Sequence, residues 1–137
     1  MQQRITLTAA LAVLGLSLTL TPPAWAKSKG GCGPDSVQVG PTCVDTYEAS
    51  VWNIPPAQTG LINQVKKGLA TSTALTAGGA FQVSPSDSCS PDFPGTFPDT
   101  GNWTDPLYAV SIPGVHPTTC ATWFQAEQAC ALSGKRL

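Results

Sequence analysis

The chain has 137 residues, of which only 11% are charged, against about 25% in an average soluble domain. Its seven Lys or Arg and eight Asp or Glu leave a net charge of −1, a balance that offers no basic surface and excludes nucleic acid and anionic lipid as partners. With 13 Gly and 13 Pro the fold should be rich in loops without being disordered.

Residues 1–26 read as an export signal. A basic start ending at Arg4 is followed by residues 5–20, which carry no charge. Thr21-Pro22-Pro23 then breaks the helix, and Ala24-Trp25-Ala26 has the small-x-small pattern that a signal peptidase cuts, here after Ala26. The apolar stretch falls short of the roughly 20 residues that span a bilayer. A lipoprotein anchor is disfavoured because the nearest Cys, Cys32, follows the polar run Lys27-Ser28-Lys29-Gly30-Gly31. Cleavage leaves residues 27–137 as one small domain, with a periplasmic or extracellular destination and no membrane attachment.

All five Cys (Cys32, Cys43, Cys89, Cys120, Cys130) follow the cleavage point, in a compartment where disulfides persist. An odd count leaves a free thiol, an intermolecular bond, or a partner elsewhere. Successive Cys lie 11, 46, 31 and 10 residues apart, and none forms the close pair of a zinc ribbon.

The first predicted element is a hairpin over residues 36–48. Val37 and Val39 alternate, Gly40-Pro41 turns the chain, and Thr42-Cys43-Val44-Asp45-Thr46-Tyr47 is rich in β-branched and aromatic residues. Cys43, Asp45 and Tyr47 share one face. A Cys32–Cys43 bridge would staple the first strand to its partner, contributing about 3 kcal/mol through loop closure.

From Asn53 to Asn102 the signals weaken, because Pro55-Pro56, Gly78-Gly79, Ser84-Pro85-Ser86-Asp87 and Pro91-Asp92-Phe93-Pro94-Gly95 interrupt the chain every few residues. Only residues 61–69 have helical spacing, with Leu61, Ile62, Val65 and Leu69 on one side. Asp87, Asp92 and Asp99 lack the tight alternation of a calcium loop and read as a solvated acidic stretch.

The last thirty residues are better defined. Tyr108-Ala109-Val110-Ser111-Ile112 reads as a strand ended by Pro113-Gly114. A helix follows from Thr122 to about Ser133, opened by a capping box between Thr122 and Gln125 and closed by Gly134. Trp123, Ala126, Ala129 and Cys130 form its expected apolar stripe, with Gln125, Glu127 and Gln128 elsewhere on the barrel.

Isolated candidates for chemistry are weak. Asp45 and Glu48 are three apart, on opposite faces of a strand, and do not form an acid and base pair. His116 is the only His, and its neighbour Pro117 makes it a turn residue with no nucleophile in view. Trp52, Trp103, Trp123 and Phe124 are candidates for a carbohydrate platform, but core packing is the commoner fate of such residues, above all for Trp123 on a helix stripe. Asn102-Trp103-Thr104 fits a glycosylation acceptor.

Two segments carry a resemblance. The first is Val39-Gly40-Pro41-Thr42-Cys43-Val44-Asp45-Thr46-Tyr47-Glu48-Ala49-Ser50. The second runs from Pro117-Thr118-Thr119-Cys120-Ala121-Thr122-Trp123 to Ser133-Gly134-Lys135-Arg136-Leu137. The first resembles the opening hairpin, with its Asp-x-Tyr-Glu-x-Ser/Thr pattern, of the formylglycine-generating enzymes, or sulfatase-modifying factors. The second is similar to that family's helix, which begins Ser/Thr-Trp and ends Gly-Lys-Arg-Leu. Together they cover 33 of the 111 residues after the signal, in the family's order, while the middle matches nothing recognisable.

The resemblance implies an irregular, loop-rich α+β fold related to C-type lectins, of which residues 27–137 would be the N-terminal portion. The family oxidises a Cys of a sulfatase peptide to formylglycine with copper and oxygen. It continues from Gly-Lys-Arg-Leu into Pro-Thr-x-x-Glu-Trp-Glu and a long remainder. That remainder holds its two copper-binding catalytic Cys, its calcium sites and most of its substrate groove. No residue here maps onto a catalytic, copper or calcium position, so inactivity of this chain alone is expected. The implied partner is a sulfatase-type peptide or another protein. In some members the helix Cys equivalent to Cys130 bonds to a distant downstream Cys. The resemblance therefore implies Cys32–Cys43 and Cys89–Cys120 bridges with Cys130 left over. A secreted binding module on the same lectin-like scaffold is the alternative from a different class.

Overall fold

The structure is a computed structural model and describes residues 31–85 and 93–137. The proposed export signal and Cys89 lie outside the described residues, as do Asp87 and Asp92. The architecture is mixed α+β, with small antiparallel sheets and short helices.

Strands β1 (Ser36–Val39) and β2 (Thr42–Asp45) form the expected hairpin, with Val37 opposite Val44 and Gln38 opposite Cys43. Gly40 turns the chain at φ +60°, a conformation that a side chain would disfavour. The predicted bridge is present: Cys32 is bonded to Cys43, with their Cα atoms 5.5 Å apart.

The larger sheet has three antiparallel strands with β3 (Ser50–Asn53) in the centre, flanked by β4 (Phe81–Val83) and β5 (Leu107–Val110). The register places Val51 beside Val83 and Ala109, and Trp52 beside Tyr108. Since successive strand residues face opposite sides, this register divides the core in two. Trp52, Tyr108 and Val110 pack with Ile54, Leu61, Val65 and Leu75 on one face. Val51, Val83, Leu107 and Ala109 pack with Phe97 and Ala129 on the other. Each large side chain buried here contributes about 1.5–3 kcal/mol. The loop residue Thr118 stitches the sheet's end, its Oγ1 donating to Val83 O and accepting from Val51 N, both at 2.8 Å.

Helix α1 (Thr59–Lys66) buries Leu61 and Val65 as expected. The expected continuation to Leu69 does not occur. Gly68 adopts φ +67°, which ends the helix and leaves Leu69 exposed. Helix α2 (Ser72–Ala77), capped by Thr71, buries Leu75 and had no strong sequence signal.

Helix α3 (Trp123–Leu132) has the expected capping box: Thr122 Oγ1 accepts from Gln125 N, and Gln125 Oε1 accepts from Thr122 N. Its inward face corrects the expected stripe. Gln125, Gln128 and Ala129 are buried, whereas Trp123 is 64% exposed and Phe124 55%. The physical reason is tertiary. Gln128 Oε1 accepts from Asn102 N and Trp103 N, each at 2.8 Å. Gln125 Nε2 donates to Phe97 O and Pro98 O at 3.3 Å. A loop that offers its backbone to the helix makes glutamine, not tryptophan, the residue that fits inside.

Candidate functional site

The hairpin, the C-terminal end of α1 and the turn after α3 enclose an open cleft of about 1090 Å³. Its shape follows from three local features. The β1–β2 ribbon stands apart from the main sheet, joined to it through Ser111, whose Oγ accepts from Tyr47 N at 2.9 Å and donates to Asp35 O at 3.2 Å. Gly68 reverses the chain after α1. Gly134, at φ +76°, reverses it after α3, with Lys135 N donating to Cys130 O at 2.9 Å.

These reversals bring Lys135 back onto the hairpin. Its Nζ lies 2.6 Å from Asp35 Oδ2 and 2.7 and 2.8 Å from the two oxygens of Asp45. All three side chains are largely covered, Asp35 most of all at 9% exposed. Charge-assisted hydrogen bonds of this length are strong, and each carboxylate would be costly to leave unpaired in partial burial. Asp35 is also held by the backbone, because a Cβ on Gly68 would stand 2.2 Å from its Oδ1 and one on Gly33 2.8 Å. The chain's closest approach at the carboxylate therefore requires glycine.

Cys130 is a free, half-buried thiol lining the same cleft as Cys43. Burial pushes its pKa up. The negative charge of Asp45 adds to that rise, Lys135 opposes it, and Glu127 adds further. A thiol held protonated in this way is a poor nucleophile. Among the described residues no group of three or more His, Cys, Asp or Glu is placed to hold a metal ion.

The other sequence candidates fall elsewhere. Asp45 is committed to Lys135, and Glu48 is exposed on the cleft. His116 is exposed in the loop before Pro117, its carbonyl accepting from Gln82 Nε2. Trp52 is buried, with Nε1 donating to Ser50 Oγ. Asn102 is half-buried. Its side-chain oxygen accepts from Thr104 N at 3.0 Å and Asp105 N at 3.2 Å, so the glycosylation motif is built into a turn. Cys120 is disulfide-bonded, and its expected partner Cys89 lies outside the described residues.

Sequence context does not single out Asp35, and Lys135 stands out only as part of a motif. The available signal was rarity, since Lys66, Lys67, Lys135 and Arg136 are the only cations of the described residues. All of them line this cleft. Among the described residues no helix is long and apolar enough to cross a membrane. Comparison of the chain with models of protein families, with curated proteins and with solved structures finds no match.

Proposed function

We propose that this chain is an exported sulfatase-modifying-factor-like domain, in which the residues described here form the N-terminal scaffold of a lectin-like fold and perform no oxidation by themselves. The reading rests on one observation. Lys135 of Gly-Lys-Arg-Leu pairs with Asp45 of Asp-x-Tyr-Glu at 2.7 Å, so the two segments that carry the resemblance are partners in space although 90 residues apart. A convergence of that kind is expected when both motifs serve one structural purpose. Copper and calcium belong, on this reading, to parts of the family domain with no counterpart among these residues. Its substrate would be a sulfatase-type peptide.

Incubating the chain with copper, oxygen and a Cys-x-Pro-x-Arg peptide should yield no formylglycine by mass spectrometry. Turnover would refute the scaffold assignment. Two closely spaced Cys encoded after Leu137 would support the oxidase family, and a continuation without them would favour a secreted binding module. That second reading is favoured by the open, charged cleft.

A further inference from the structure

We infer that the cleft beside the hairpin binds an extended, acidic segment of a partner protein, which adds to the free edge of β2. Two observations carry this, and neither depends on the family reading.

The first is the distribution of charge. The chain as a whole is slightly acidic, yet every Lys and Arg of the described residues lines this one cleft. Lys135 is enclosed by Asp35 and Asp45, a cluster that carries one net negative charge. Lys66, Lys67 and Arg136 are exposed and have no ion-pair partner among the described residues. Three side-chain carboxylates also line the cleft. Asp35 and Asp45 are drawn onto Lys135, so Glu48 is the exposed negative group facing the free cations. The remaining described carboxylates, Asp99, Asp105 and Glu127, line no part of it. At the exposed rim Lys66, Lys67 and Arg136 face only Glu48, and the side chains of the whole lining sum to +1 in a molecule that is otherwise negative, an arrangement that favours acidic partners.

The second observation is the exposed strand edge. Residues 42–49 line the cleft without a gap. Four of these residues, Thr42–Asp45, are the whole of β2, and since successive strand residues face opposite sides, both faces of the strand border the cleft, as its main-chain edge would. That strand has β1 on one side and no other strand beside it among the described residues. An unpaired edge is a template for a third strand, whose backbone supplies affinity while flanking side chains supply selectivity. The charge disfavours an Arg-containing sulfatase peptide here, so this ligand is distinct from the substrate class proposed above.

The test is fluorescence anisotropy with the oxidised chain and a fluorescein-labelled decapeptide of alternating Glu and Thr as the probe. We expect it to bind about tenfold more tightly than the Gln/Thr peptide, since each rim ion pair is worth a few-fold at most, and to weaken in high salt. Lys66→Ala with Lys67→Ala should loosen it about fivefold, Arg136→Ala less, and Glu48→Gln should tighten it. N-methylation of alternate peptide amides should remove binding by blocking the edge. Equal affinity for the Glu and Gln peptides would overturn the proposal. So would indifference to the Lys66 and Lys67 substitutions in a chain whose circular dichroism melt is unchanged. Reversible self-association in sedimentation velocity, abolished by those substitutions, would assign the cleft to a second copy and likewise overturn it.

Discussion

Lys135 and Asp45 are joined by two contacts of 2.7 and 2.8 Å from one ammonium to both oxygens of one carboxylate, a pairing that locks the end of α3 onto the hairpin. Because Asp35 shares the same ammonium at 2.6 Å, removing Lys135 strands two carboxylates at once. Lys135→Met should destabilise the chain by about 2–4 kcal/mol, less than a fully buried pair because the cluster is partly wet. Urea denaturation measures this. Adding Asp45→Asn to Lys135→Met should recover part of the loss, and strict additivity of the two changes would show that they do not interact.

The thiol of Cys130 gives a pH signature. Its pKa is raised in the folded chain by burial and by Asp45. Its contribution to stability is therefore fully present below the ordinary thiol value of about 8.5 and is lost as pH rises through the higher folded value. Melting temperature should fall across that window, and Cys130→Ala should flatten the fall. Alkylation by iodoacetamide should show its midpoint above that of a free thiol. Asp45→Asn should bring the midpoint down, whereas Lys135→Met should push it further up.

Gln128 accepts two backbone N–H groups while wholly buried. Gln128→Leu keeps the volume and removes the acceptor, leaving Asn102 N and Trp103 N without it. The cost should be about 2–4 kcal/mol, with faster hydrogen exchange at those two amides. An unchanged exchange rate would mean that the turn does not depend on this side chain.

Two glycines with the same backbone conformation separate strain from crowding. Gly40 and Gly68 have φ of +60° and +67°, but a Cβ at Gly40 meets nothing within 4 Å, whereas one at Gly68 meets Asp35 Oδ1 at 2.2 Å. Gly40→Ala should cost about 1 kcal/mol from the left-handed conformation alone. Gly68→Ala should cost clearly more, by thermal melt, because it must also displace a carboxylate from Lys135.

The hairpin, its disulfide and the capped start of α3 could be read from residue order because each depends on neighbours a few positions away. A Gly-Pro turn between β-branched residues and a Thr with Gln three places on need no distant partner. Strand β3 has no signature in residue order although it is the centre of the sheet. Its residues are all buried or nearly so, so it lacks the alternation that marks a half-exposed strand. Strand β4 is only three residues long, too short for any period to show.

The inward face of α3 and the cleft were decided in three dimensions. Helical spacing places Trp123 and Gln128 on definable sides of a cylinder, but which side goes inside depends on what lies across from it. Here a backbone-rich loop from Phe97 to Trp103 rewards amide side chains. Likewise, local order sets Asp35, Asp45 and Lys135 at the ends of their elements. Only the left-handed reversals at Gly68 and Gly134, acting with the Ser111 tether, bring those ends within hydrogen-bonding distance. Local sequence determines conformations stabilised by near neighbours, whereas contacts across 90 residues exist only once the whole chain has packed.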